Sequence, residues 1–87
     1  MNQDELKDKL KSIIIEVTHS SDDAGDIADD DFLIDDLGID SLGMMTLVET
    51  LEKRFNIVIP PSAVVLDNFK TVELLLKYVT SKLESMR

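Results

Sequence analysis

The stretch Leu37-Gly38-Ile39-Asp40-Ser41-Leu42, continued by Gly43-Met44-Met45-Thr46-Leu47-Val48-Glu49-Thr50-Leu51-Glu52-Lys53-Arg54-Phe55, holds a turn, a capping pair and an amphipathic segment in succession. Gly38 permits a tight or positive-φ turn. Asp40 or Ser41 is then the N-cap of a helix from about Ser41 to Phe55. On a 100° wheel, Met44, Leu47, Val48, Leu51 and Phe55 share an arc of about 100° that faces a core, with Met45 at its border. Leu42 falls outside that arc, beside Thr46, Glu49 and Lys53. A large apolar side chain next to Ser41 is thus expected to project toward solvent.

Working outward, residues 3 to 18 carry Leu6, Leu10, Ile13, Ile14 and Val17 at steps of three and four, which makes a first helix. Ile15 points to the other side, as an exposed residue or a second, smaller contact. Residues 19 to 31 are rich in turn formers and poor in apolar anchors, so they form a long loop of the kind that tends to be functional or mobile. Phe32, Leu33, Ile34 and Leu37 are expected to pin the end of that loop onto the helices.

Downstream, Asn56 to Pro61 breaks the helical period, and Pro60 pushes Ile59 into an extended conformation. Ser62 to Leu66 has room for one helical turn, with Pro61 tolerable at its start. Asp67 to Lys70 returns the chain to the bundle. A last helix, about Thr71 to Leu83 with Thr71 or Lys70 near its cap, aligns Val72, Leu75, Leu76, Val79 and Leu83 on one face. The expected fold is all-α: a small bundle of three long helices plus one short helix, in a single domain spanning residues 1–87.

Composition narrows the function. Eighteen acids against nine bases give a net charge of -9, which argues against nucleic acid and anionic membranes and favours basic protein surfaces as partners. Between Lys11 and Lys53 there is no lysine or arginine. No apolar run approaches the ~18 residues of a membrane span, and the first residues lack the basic region and apolar core of a signal peptide. No membrane insertion and a cytoplasmic location are therefore expected.

The chain has no cysteine and one histidine, His19, which leaves too few groups for a metal centre or an acid-base site. His19 is assigned to the surface near a helix C-terminus, without catalytic duty. The acidic loop offers oxygen ligands, but no register satisfies a calcium-binding loop, so no metal site is expected. Met44, Met45, Val64, Val65 and Leu66 could line an apolar cavity between helices, although plain core is the favoured account of such a stripe. An enzyme is not expected.

An Asp-Ser pair before a helix is most simply a cap. Here a capping box is missing, because Gly43 and Met44 stand where Glu or Gln would complete it. Gly43 also weakens the first turn by about 1 kcal/mol relative to alanine, and its open backbone suits close approach by another surface. Helix N-termini favour anions. With no evident base to activate the hydroxyl, Ser41 suits the attachment of a phosphate-linked group better than nucleophilic catalysis.

These residues are similar to those of the acyl carrier proteins, of the phosphopantetheine-binding type. The motif 37–42 is preceded by Asp35-Asp36 and followed by a Leu-Val-Glu-Thr-Leu-Glu helix ending at Phe55. The order of first helix, long loop, serine-led helix, Ile-Pro connection and a last helix opened by Thr71-Val72 extends the likeness over nearly the whole chain. The resemblance implies that Ser41 receives a 4'-phosphopantetheine arm from coenzyme A through a separate phosphopantetheinyl transferase. Acyl intermediates would ride on the arm as thioesters.

By the same likeness Asp40 matches the aspartate that helps the transferase position its metal and cofactor, and Leu42 matches a partner contact, with Met45 a weaker one. Asp36, Glu49 and Glu52 are the acids that remain for basic docking surfaces of acyl-loading and acyl-processing enzymes. A monomer is implied. Carriers of dissociated fatty-acid synthesis usually have acids where this chain has Gly43 and Thr46, and Lys53-Arg54 is more basic than their pattern. That departure favours a specialised polyketide, peptide-like or lipid-modifying pathway. The alternatives are a general fatty-acid carrier with drifted surface residues and an unmodified acidic adaptor. The connection from Pro60 to Thr71 is also a residue or two longer than usual.

Overall fold

The structure, a computed structural model, describes residues 3–18, 27–64 and 67–85. Helix α1 (Gln3–Thr18) opens on Asp4 and Glu5, which complement the positive end of its dipole, and buries Leu6, Leu10, Ile13 and Ile14. Ile15 is half-buried and packs against the core, so it is the smaller second contact. Helix α2 (Ser41–Phe55) ends where Asn56 adopts a left-handed conformation, φ 54°, and its N–H closes on the Glu52 carbonyl. Lys53 and Arg54 occupy its last turn, where cations suit the dipole.

Helix α3 (Pro61–Val64) starts one residue earlier than expected, on the proline whose missing N–H costs nothing there. Val65 and Leu66 lie outside the described residues, as do His19 and most of the acidic loop. A 3₁₀ turn, Asp67–Phe69, precedes α4 (Val72–Ser85) and was not anticipated. Thr71 caps α4, its Oγ1 accepting from the Leu74 N–H at 3.1 Å. The described residues thus form the all-α arrangement of three long helices and one short one.

One feature has no side-chain period to reveal it. Phe32 and Thr71 form an isolated antiparallel bridge. Around it the Leu33 N–H donates to Lys70 O at 3.0 Å, the Val72 N–H to Asp31 O at 3.1 Å and the Glu73 N–H to Asp29 O at 2.8 Å. The end of the loop therefore satisfies backbone donors in the first turn of α4 that a helix cannot pair by itself.

Leu10, Ile14, Leu33, Leu47, Leu51, Leu75, Val72 and Val79 are sealed in the core. Of the four residues expected to pin the loop, Leu33 does so completely and Leu37 partly, while Phe32 and Ile34 are exposed. Ile57 and Ile59 are buried with Val58 exposed between them, the period of two that an extended segment gives. Met44 and Val48 are only half-buried, contrary to the wheel, because their side of α2 borders an open groove.

Charged pairs link the elements from outside. Arg54 reaches Glu16 at 2.9 Å between α2 and α1, and Lys7 and Lys11 each reach Asp29 at 2.9 Å. Hydrogen bonding from Lys7, then from Lys11, holds the Asp29 carboxyl below its ordinary range, and the bond to Asp29 raises Lys7. The stabilisation from Asp29 is present above the unfolded carboxyl's pKa and lost as pH falls through the folded one. That from Lys7 is present below the ordinary lysine value and lost as pH rises through the folded one. Asp29→Asn is therefore expected to lower the melting temperature at neutral pH, with the gap to wild type closing in strong acid and again in strong alkali. A gap of constant size across a pH series of thermal melts contradicts the assignment.

Candidate functional site

Backbone bonds shape the entry to α2. The Gly38 N–H donates to Ile34 O at 3.1 Å and the Ile39 N–H to Leu33 O at 3.0 Å. Gly38 has φ 72°, the positive value anticipated from its position. Ile39 is buried and anchors the turn, so Asp40 and Ser41 emerge at the surface immediately after a fixed point. Asp40 is the N-cap: its Oδ1 accepts from the Gly43 N–H at 2.7 Å, and its carbonyl from the Met44 N–H at 2.8 Å.

Ser41 is the first residue of α2 and is exposed. Its hydroxyl has no hydrogen-bond partner among the described residues.

Gly43 requires a correction. A Cβ there would stand 3.2 Å from Asp40 Oδ1 and 3.3 Å from Ile39 Cγ2, and the residue is half-buried. The glycine makes room for the chain's own cap, where an opening toward another surface was expected.

A groove of about 780 Å³ opens beside Asp40 and Ser41. Met44, Met45 and Val48 of α2 line it, with Ile34 and Ile39 from the preceding turn. Ile59, Pro61 and Val64 contribute from the Ile-Pro connection and α3. Met44, Met45 and Val64 line the groove, and Met44 and Val64 also pack against the core, so they serve as core edge and groove wall together. Exposed Ile34, 62 % accessible, belongs to the same rim. No periodicity in Phe32-Leu33-Ile34 distinguishes the sealed residue from the exposed ones.

The residues expected at a partner interface separate into two sets. Leu42 is 72 % exposed, as its wheel position required, and Met45, at the border of the core arc, is 63 % exposed. Glu49 is exposed, and so is Asp36, although one Asp36 oxygen accepts from the Phe32 N–H at 2.8 Å. Glu52 is different: it is half-buried and its carboxylate accepts from the Ile59 N–H at 2.9 Å. That carboxylate ties α2 to the Ile-Pro segment. Among the described residues no group of three His, Cys, Asp or Glu side chains could hold a metal ion, and no helix is long and apolar enough to cross a membrane.

An exposed, unpaired hydroxyl at a helix N-terminus, beside an apolar groove, fits a phosphate-linked substituent with a long organic tail. Comparison with known proteins gives the same chemistry. The family described as "Phosphopantetheine attachment site" matches residues 8–79. An acyl carrier protein of Onion yellows phytoplasma (strain OY-M) is 42 % identical over 73 residues, covering 84 % of this chain and 91 % of that protein. The chain belongs to the acyl carrier protein family, whose prosthetic group is 4'-phosphopantetheine.

Proposed function

We propose that Ser41 is the attachment residue and that the chain carries acyl groups between partner enzymes in a specialised polyketide, peptide-like or lipid-modifying pathway. The observation that carries the assignment is the exposed Ser41 hydroxyl at the first position of α2, at the mouth of the groove. The arm supplies a terminal thiol, absent from this cysteine-free chain, on which acyl groups are held as thioesters. Ser41 anchors it through Oγ. The N-terminal peptide dipoles of α2 favour the attached anion by roughly 0.3–1 kcal/mol, enough to orient it and too little to immobilise it.

Asp40 keeps the first turn closed through Gly43 and offers its carboxylate to the transferase. Met44, Met45, Val48 and Val64 give an apolar cargo a place out of water. Leu42, Met45, Glu49 and Asp36 are the partner-facing residues of this reading, and Glu52 is assigned instead to holding Ile59. The protein acts as a cytoplasmic monomer and leaves the chemistry to its partners.

What favours a specialised pathway is the first turn of α2, which has no acidic side chain, and its last turn, which carries Lys53 and Arg54. The test has two stages. Incubation with coenzyme A and a broad-specificity phosphopantetheinyl transferase should raise the intact mass by one phosphopantetheine; no gain with several transferases returns the chain to an acidic adaptor. Release of the thioester-bound acid from the natively loaded protein then identifies the cargo, and an ordinary saturated fatty acid contradicts the specialised assignment.

A further inference from the structure

Two sulfur atoms stand side by side in a chain that has no cysteine: those of Met44 and Met45 on α2. Both residues line the groove beside Ser41. They differ in what else they touch. Met44 is half-buried and packs against the core, whereas most of the Met45 surface meets water. Met45 also follows Ser41 by four residues, which puts the two on one side of the helix, about 6 Å apart along its axis. Its thioether thus belongs to the end of the groove that lies beside the attachment hydroxyl.

Oxidation of a thioether follows access. Hydrogen peroxide is uncharged, so the exposed acids that also line the groove, Asp40 and Glu49, do not repel it. The sulfur lone pair attacks one peroxide oxygen as the O–O bond breaks and an S–O bond forms. The departing hydroxide takes the proton from the transferred oxygen and leaves as water, so sulfur is oxidised by two electrons and peroxide is reduced. The sulfoxide is polar and accepts hydrogen bonds, where the thioether was apolar and pliable. At Met44 the new oxygen would press on the edge of the core, where an unpaired acceptor is destabilising. At Met45 it can remain in water, so the bundle persists while the groove loses apolar wall.

We propose that Met45 is an oxidation site that controls the groove: peroxide converts its thioether to the sulfoxide, and the polar wall then loosens the hold on an apolar cargo without unfolding the protein. The inference rests on the reading of Ser41 as the attachment residue with the groove as the cargo's shelter, and adds a means of regulating that shelter. Methionine sulfoxide reductases reverse the change. Oxidation as mere surface damage predicts the added oxygen and no change in how the cargo is held.

The test loads wild type, Met44→Leu and Met45→Leu with an octanoyl arm, using octanoyl coenzyme A and a broad-specificity phosphopantetheinyl transferase. Part of each sample is treated with hydrogen peroxide, and release of the acyl group by hydroxylamine is timed against the untreated part. Peptide mass spectrometry should find oxygen added at Met45 about fivefold faster than at Met44. Treated wild type should release its cargo about threefold faster or more, with a nearly unchanged melting temperature. Met44→Leu should show the same rise and Met45→Leu none. Met45→Gln, a lasting polar replacement, should release faster than Met45→Leu without any peroxide. Release from treated wild type at the untreated rate overturns the inference, as does an equal rise in Met45→Leu or faster oxidation of Met44; each of these leaves the Ser41 assignment standing. A wild type that never accepts the arm overturns that assignment and this inference together.

Discussion

Replacing Ser41 with alanine is expected to abolish the gain of one phosphopantetheine completely, while leaving the fold intact. The hydroxyl is exposed and bonds to nothing among the described residues, so its removal leaves no buried group unpaired. Stability should change by no more than about 0.5 kcal/mol, the usual range for surface substitutions. Intact mass after transferase treatment and a thermal melt together check both halves. Residual labelling at another serine defeats the assignment.

The neighbouring aspartate separates capping from chemistry. Asp40→Asn keeps an oxygen for the Gly43 N–H and should preserve stability, whereas Asp40→Ala should cost about 0.5–2 kcal/mol. If the carboxylate itself serves the transferase, both variants slow arm transfer. Transfer to Asp40→Asn at the wild-type rate limits this residue to its cap.

The second large effect falls on adjacent residues with opposite fates. Leu33→Ala removes a side chain with 0 % exposure and should cost about 2–5 kcal/mol, through lost burial and the cavity left behind. Ile34→Ala, at a residue 62 % exposed, should stay within about 0.5 kcal/mol. For a domain whose whole stability is on the order of 5–15 kcal/mol, the first change removes a large share of it. Urea denaturation of the two variants gives the comparison. Similar midpoints would contradict the packing described here, because the hydrophobicity of the two side chains is nearly the same.

That contrast also marks the limit of what the sequence discloses. Periodicity carried α1, α2 and α4, because Leu10, Leu47 and Leu75 recur with neighbours at helical steps and end up sealed in the core. Capping chemistry narrowed the caps to Asp40 or Ser41 and to Thr71 or Lys70, and side-chain oxygens three residues before the N–H groups they satisfy select Asp40 and Thr71. The exposure of Leu42 followed from its angle on the wheel. Where the determinant was not periodic, legibility failed.

Phe32-Leu33-Ile34 offers three apolar residues in a row, and only the bridge to Thr71 decides which of them turns inward. Met44 and Val48 lie on the apolar arc of α2, yet the arc is wider than the core it meets, and the excess becomes groove wall. The bond from the Ile59 N–H to Glu52 links residues seven apart and has no signature in the local pattern. Gly43 shows the reverse case. Its presence was noted and its cause misread, since what crowds the missing Cβ is a carboxylate and a methyl group brought there by the turn itself.

The clasp between residues 29–33 and the start of α4 bears on how the protein can be re-engineered. Three main-chain bonds, from Leu33, Val72 and Glu73, depend on a single spacing between Asp29 and Leu33. Adding or deleting one amino acid inside that interval would prevent the three bonds from forming together, because the pairs on its two sides would no longer share one register. Affinity tags, permuted termini or fused domains therefore belong elsewhere on the surface, because this five-residue segment functions as a fixed-length splice between two distant parts of the polypeptide.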